Sequence, residues 1–282
     1  MIVPALITPF DTAGRPDAGA LQALIDRLAP QVDGFLLLGS TGEAVTLAPD
    51  ERAALLAGVR APGPVWVGIG DESLALARRH AEAAVAQGAE RLLAMPPRFF
   101  DRALDPRAFQ VYFEGLAELG EVWLYHVPVF TKMSFPVEVV VELARHPRIN
   151  GIKDSSGEMA RLEHYRRFAP GLRVFTGSGT TLPAAAASGA EGAILAVGNL
   201  APRLFARVFS DARAGRADAR LAGLAYETAA LVGRGGVVLL KQMLRHLGLP
   251  AGVPRAPLPE TSPLWPEAEA LLARLQEEGW LL

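Results

Sequence analysis

The sequence predicts an α/β protein of the (β/α)8 TIM-barrel class with a C-terminal helical extension. Three observations point there. Short apolar runs rich in Val, Ile and Leu alternate with longer Ala/Leu/Arg segments of helical period, eight of each. The unit recurs about every 25–30 residues, the size of one strand-plus-helix repeat. The strands are almost continuously apolar, which marks a parallel sheet covered on both faces. Eight strands each followed by a helix then close into a barrel rather than an open sheet.

In chain order the predicted strands are residues 3–9, 34–39, 65–69, 91–95, 122–127, 149–153, 173–176 and 193–197. The helices between and after them are 18–29, 49–59, 73–87, 106–119, 136–145, 158–168, 181–188 and 202–214. Pro49 before Asp50 and Glu51 suits a helix start with acids in its first turn. Gly88 and Gly120 stand where C-terminal caps close the third and fourth helices, and Pro136 opens the fifth. This gives a barrel over residues 1–214 and a C-terminal three-helix region over 215–282. Its helices are expected at 218–232, 237–247 and 263–278, with the proline-rich stretch 250–263 running between the last two as an extended strap.

Composition excludes several functions. Half of the 282 residues are hydrophobic, enough for a large core, and the net charge is −2 with no basic block, so neither nucleic acid nor an anionic membrane is an expected partner. Cysteine is absent, which removes disulfides and thiolate catalysis and fits a cytoplasmic protein. Met1-Ile2-Val3-Pro4 lacks the basic and apolar regions of a signal peptide, and no apolar stretch is expected to span a bilayer. The five histidines show no metal-ligand spacing, and Gly68-Ile69-Gly70 is too slight for a nucleotide fingerprint. No metal and no cofactor are expected.

In a barrel of this kind the active site lies on the loops after the strands. That rule singles out Lys153. Of the 28 basic residues only three are lysine, Lys132, Lys153 and Lys241. Arginine serves wherever charge alone is needed, but arginine keeps its proton and cannot act as an amine nucleophile, whereas a lysine in a buried site can. A lysine closing an apolar strand is therefore a candidate Schiff-base former, set against the plainer reading of a surface charge. Other strand ends carry Gly39-Ser40-Thr41-Gly42-Glu43, Pro96-Pro97-Arg98-Phe99-Phe100, Tyr125-His126-Val127-Pro128, Gly177-Ser178-Gly179 and Val197-Gly198-Asn199.

Gly39-Ser40-Thr41-Gly42-Glu43, Tyr125-His126-Val127-Pro128 and Gly151-Ile152-Lys153-Asp154-Ser155-Ser156-Gly157 together resemble the three signatures of the dihydrodipicolinate synthase / N-acetylneuraminate lyase family. The similarity runs on through Ala201-Pro202-Arg203 and Leu247-Gly248-Leu249-Pro250, so it covers essentially the whole chain. The resemblance implies a Schiff-base class I lyase acting on pyruvate or another 2-oxo acid, and a homotetramer built as a dimer of dimers. It implies that Lys153 is the Schiff-base lysine and Tyr125 the proton-transferring acid/base. Ser40 and Thr41 would hold the substrate carboxylate, with Gly177, Ser178 and Ile194 lining the pyruvate end. On residues alone, a turn that simply favours Ser and Thr and a hydrogen-bonded core tyrosine stay open as readings.

Departures from the pattern bear on the substrate. The synthases carry an arginine two residues after the proline of the Tyr-Asn-Val-Pro motif; here that position is Phe130. They carry a tyrosine on the fourth strand's loop; here the match is Phe99. His126 stands where asparagine is common and reads as a hydrogen-bonding prop. Arg98 or Lys132 could replace the missing cation by turning inward. These features favour an aldolase that cleaves or forms 4-hydroxy-2-oxo acids. The alternatives are 4-hydroxy-tetrahydrodipicolinate synthase, a non-catalytic 2-oxo-acid-binding protein, and a sugar-phosphate barrel. A binder has no need of the Lys153/Tyr125 pair, and the loops after strands seven and eight lack a glycine cradle for phosphate.

Overall fold

The computed structural model describes residues 1–99 and 104–282. Its strands are β1 (Ile2–Pro4), β2 (Phe35–Leu37), β3 (Val65–Gly68), β4 (Arg91–Ala94), β5 (Glu121–His126), β6 (Ile149–Asp154), β7 (Arg173–Thr176) and β8 (Gly192–Leu195). The helices are α1 (Ala18–Leu28), α2 (Pro49–Ala57), α3 (Leu74–Ala86), α4 (Pro106–Ala117), α5 (Pro128–Thr131), α6 (Val137–Leu143), α7 (Met159–Phe168), α8 (Leu182–Ala187), α9 (Pro202–Arg213), α10 (Ala219–His246) and α11 (Trp265–Glu277). All strand pairs are parallel, in the order β1-β8-β7-β6-β5-β4-β3-β2. The gap between β1 and β2 is bridged by Ala5 against Leu36, with the Leu6 N–H donating to the Leu36 carbonyl at 2.9 Å, so the sheet closes on itself. The barrel expected from the eightfold repeat is the fold observed.

Local chemistry explains the boundaries. Asp17, Ser73, Asp105 and Asp218 each cap a helix by accepting a backbone N–H of its first turn. Gly88 follows α3 in the left-handed region at φ 83°, as the cap reading requires. Gly120 does not adopt that conformation; a Cβ there would lie 3.2 Å from Leu92, so its smallness serves packing. The first strand is shorter than expected: after Pro4 regular pairing reduces to the Ala5–Leu36 bridge and the bonds from the Ala5 and Leu6 N–H groups to the Leu195 and Leu36 carbonyls. Residues 219–246, labelled α10, are two helices that meet at a kink at Gly236, whose backbone (φ 59°, ψ −157°) lies outside the helical region, in keeping with the two helices expected at 218–232 and 237–247. Among the described residues only the joined run α10 has the length and composition of a membrane span, and the break at Gly236 divides it into two shorter helices. The four-residue α5 is too short to show a period, and Pro128 was its one visible sign in the sequence.

Two sets of apolar side chains result. One fills the space between sheet and helices. The other lies inside the barrel and includes Trp66, Trp123, Tyr125, Phe175 and Ile194. At the lower end Trp123 meets Trp66 edge-on at 5.2 Å and Phe175 edge-on at 5.0 Å, and the Arg91 guanidinium lies 4.4 Å from the Trp66 ring centre. This plug dictates glycine opposite: a Cβ on Gly151, the β6 partner of Trp123, would lie 2.4 Å from the indole. A Cβ on Gly192 would lie 2.6 Å from Phe175.

Candidate active site

Strand register builds the site. β5 and β6 pair Tyr125 with Lys153 and His126 with Asp154. Successive side chains on a strand point to opposite faces. Tyr125 and Lys153 therefore both turn into the barrel above the plug, while His126 and Asp154 turn outward toward α7. Lys153 is buried; its Nζ donates to Tyr125 Oη at 3.3 Å and lies 4.3 Å from the ring centre. Tyr125 Oη is in turn 3.0 Å from Ser40 Oγ. One chain of polar atoms thus runs from an amine through a phenol to a hydroxyl on the loop after β2. Gly177, at the end of β7, keeps the approach to the amine clear: a Cβ there would lie 1.9 Å from Ser155 Oγ and 3.1 Å from Lys153 Cε.

The loop after β2 is held in an uncommon shape. Leu38 (φ 55°) and Glu43 (φ 52°) lie on either side of it in the left-handed region without being glycine, an arrangement that costs about 1–3 kcal/mol per residue. The turn's own bonds start from the N–H groups of Gly42, Glu43 and Ala44 and end on the carbonyls of Gly39 and Ser40, and do not use the N–H groups of Ser40 and Thr41. Thr8 Oγ1 donates to the Gly42 carbonyl at 2.6 Å, fastening the turn to the segment after β1. Ser40 brings its hydroxyl against Tyr125, and the N–H groups of Ser40 and Thr41, unused by the turn, are donors of the kind that hold a carboxylate.

Behind Lys153 lies a buried network. Asp154 Oδ1 accepts from His126 Nδ1 at 3.1 Å, from Ser156 N at 2.9 Å and from Ser156 Oγ at 2.6 Å. Its Oδ2 accepts from Arg161 Nε and from the Tyr165 hydroxyl, each at 3.1 Å. Arg161 reaches on to Tyr165 Oη (2.7 Å) and the Phe135 carbonyl (2.5 Å). Burial pushes the Asp154 carboxyl up, but the hydrogen bond and charge of His126, with the Ser156 donors, outweigh it and hold the group at about 2. Burial, with the neighbouring Asp154 charge, raises the Tyr165 phenol. His126 is therefore a prop for Asp154 on the outer face of the sheet. Arg161 and Tyr165 were missed from sequence; the one available signal was their four-residue spacing on α7, seven and eleven residues after Asp154.

A match to the dihydrodipicolinate synthetase family model runs over residues 1–272. The chain belongs to this family. It is 34% identical over 266 residues to 4-hydroxy-tetrahydrodipicolinate synthase 1 of Streptomyces coelicolor, covering 90% of this chain and 86% of that one. It is 33% identical over 286 residues to N-acetylneuraminate lyase of Rhizobium meliloti, covering 98% and 93%. A crystal structure of a candidate dihydrodipicolinate synthase from Thermus thermophilus is 46% identical, matches all of both chains and superposes with a TM-score of 0.96. A prophage protein of the same family from E. coli, solved in complex with pyruvate, is 26% identical over 99% of this chain and 98% of that one, at a TM-score of 0.88. As a member of the dihydrodipicolinate synthetase family, the chain is a carbon–carbon lyase of the aldolase type that works through a Schiff base.

The rim is where this member of the dihydrodipicolinate synthetase family departs from the synthase pattern. Phe130, standing for the expected arginine, is 51% exposed, and Phe99, standing for the expected tyrosine, is 77% exposed. Phe100, on the same loop, lies outside the described residues. Neither cation suggested as a replacement turns inward. Arg98 pairs with Glu72 (Nε to Oε1, 3.2 Å), and the N–H groups of Arg98 and Phe99 both donate to Glu72 Oε2 at 2.9 Å. Lys132 donates to the Val129 carbonyl at 2.7 Å. Ser178 Oγ is 3.1 Å from Thr180 Oγ1, and Ile194 on β8 is buried in the same internal cluster as Tyr125.

Proposed function

We propose that this lyase uses pyruvate as one partner and cleaves or forms a 4-hydroxy-2-oxo acid, with Lys153 as nucleophile and Tyr125 as proton carrier. The observation that carries the reading is the contiguous chain Lys153 Nζ, Tyr125 Oη, Ser40 Oγ directly above the apolar plug of the barrel. The unprotonated amine adds to C2 of the 2-oxo acid, and loss of water, its hydroxyl protonated from Tyr125, leaves a protonated imine. In the cleavage direction the C4 hydroxyl gives its proton to the Tyr125 phenolate. The C3–C4 bond breaks, and its electron pair flows into the imine to give an enamine and a free aldehyde. Protonation at C3 and hydrolysis then release pyruvate and regenerate the amine. Ser40 and Thr41, with their N–H groups, hold the carboxylate through these steps, while Gly177, Ser178 and Ile194 shape the pyruvate end. The pyruvate complex of the E. coli relative supports the choice of 2-oxo acid.

The aldehyde side favours cleavage over condensation with aspartate semialdehyde. That substrate carries a second carboxylate, which calls for a fixed cation such as arginine. Phe130 supplies none, and Arg98 and Lys132 are engaged elsewhere. The test is borohydride reduction with a panel of 2-oxo acids, read by mass spectrometry at Lys153, followed by paired kcat/KM values. Semialdehyde condensation faster than 4-hydroxy-2-oxo-acid cleavage by about tenfold would establish the synthase reading instead. We further read the protein as cytoplasmic and as a homotetramer, with the apolar rim at Phe99, Val129 and Phe130 buried between subunits. Light scattering that shows only monomer at micromolar concentration contradicts the assembly.

A further inference from the structure

We propose that Lys241, through its buried ion pair with Glu43, is a positioning residue for the turn at 39–42, and so sets the affinity of the site for the carboxylate of its 2-oxo acid. The proposal rests on the carboxylate role given to that turn above. Three features of the molecule carry it. First, Glu43 occupies a backbone conformation that disfavours side chains other than glycine, so the turn keeps its shape only if something outside it holds Glu43 in place. Second, that restraint is visible. Lys241, fully buried on α10, places Nζ 2.5 Å from Glu43 Oε1, donates to the Val253 carbonyl at 3.0 Å and lies 4.4 Å from the Phe10 ring centre. The Arg255 N–H donates to Glu43 Oε2 at 2.9 Å. Third, the strap bearing Val253 and Arg255 is itself fixed to the barrel. Arg255 grips both oxygens of Glu51 at 2.7 Å, and Arg245 donates to the Gly252 and Glu260 carbonyls at 2.8 Å. Gly252 fits against Phe10 so closely that a Cβ would lie 2.4 Å from the Phe10 carbonyl oxygen.

The geometry also explains the choice of residue. This chain uses arginine for nearly every positive charge, yet the fully buried cation facing Glu43 is a lysine. Between the Phe10 ring, the Val253 carbonyl and the Glu43 carboxylate there is a place for a compact ammonium; a guanidinium would need a wider, planar slot. Lys241 lies on the helix that follows the kink at Gly236. Lys241 itself is not a second Schiff-base nucleophile, because its amine is occupied by Glu43.

The test compares the full-length wild type with Lys241→Met, Glu43→Gln and the paired variant Lys241→Met/Glu43→Leu, which leaves no unpaired buried charge. Borohydride trapping at Lys153 is followed against the concentration of pyruvate and, separately, of hydroxyacetone, a ketone without a carboxylate. A loosened turn raises the pyruvate concentration for half-labelling by about tenfold or more in each variant. The labelling rate at saturation and the hydroxyacetone curve change by less than about threefold, and the paired variant is no worse than the worse single one. The paired variant alone decides the matter if a single one fails to fold. Half-labelling by pyruvate that stays within about threefold of wild type, or pyruvate and hydroxyacetone curves that shift together, overturns the proposal. A wild-type chain that forms no pyruvate adduct at Lys153 overturns the functional reading and this proposal with it.

Discussion

The two ends of the barrel interior are built from the same strands and do opposite things. At the lower end Trp123 meets Trp66 and Phe175 edge-on, and the three fully buried rings fill the interior. Two residues further along β5 and β6, Trp123 gives way to Tyr125 and Gly151 to Lys153, and the packing becomes a polar chain ending on Ser40. The difference shows how a lysine is kept buried at the end of an apolar strand. The plug excludes water from beneath it, and the Asp154 network fixes β6 from behind without placing a carboxylate beside the amine. The proposed function puts the chemistry in one layer and the packing in the layer below it, so substitutions in the two should separate cleanly.

The sharpest separation comes from Lys153→Arg. It keeps the charge and most of the volume, and should abolish pyruvate-dependent borohydride labelling while leaving the thermal midpoint near that of wild type. A label moving to Lys132 or Lys241 would break the assignment. Next is Tyr125→Phe, which removes one hydroxyl and should lower turnover by about 10²–10⁴-fold with the fold intact. In the plug, Trp123→Ala should do the reverse: a loss of about 3–5 kcal/mol in denaturant unfolding, with labelling of Lys153 retained in the folded fraction. Turnover lost before stability would mean that the layers are not independent. The smallest effect concerns Asp154. Its carboxyl is held at about 2 when folded, below its ordinary value of 3.8, so the folded state gains from its ionisation. That gain, roughly 2 kcal/mol, is complete above the unfolded value and disappears as pH falls through the folded one. Unfolding measured from pH 5 downward should therefore be less steep in Asp154→Asn than in wild type. Parallel curves would remove Asp154 from the account.

How much of this was legible in the sequence follows from distance along the chain. Lys153, Tyr125 and the Gly39-Ser40-Thr41-Gly42-Glu43 turn each end a strand with a local pattern, and the rule about strand ends gathers them without a structure. The plug was invisible as such, because Trp66, Trp123 and Phe175 read only as apolar strand residues until register brings them face to face. The partners of Glu43 come from α10 and the strap, about two hundred residues on, and no period in the sequence links them. Arg161 and Tyr165 fall between these cases, close enough to Asp154 to be suspected and too far for the strand pattern to claim them. The break at Gly236 was legible, because a glycine between two segments of helical period marks the end of one helix and the start of the next.

Gly151 also constrains the order in which this barrel can change. A side chain at that position collides with the Trp123 indole, whereas a smaller residue at 123 leaves a hole that position 151 can fill. Variation must therefore enter through 123, and 151 can follow only afterwards. A library randomised at 151 alone should return glycine. One randomised at both positions should recover alanine or serine at 151 only in company with a reduced side chain at 123. The glycine two places before the lysine is thus tied to the history of a tryptophan on the neighbouring strand, and not to the reaction that takes place above it.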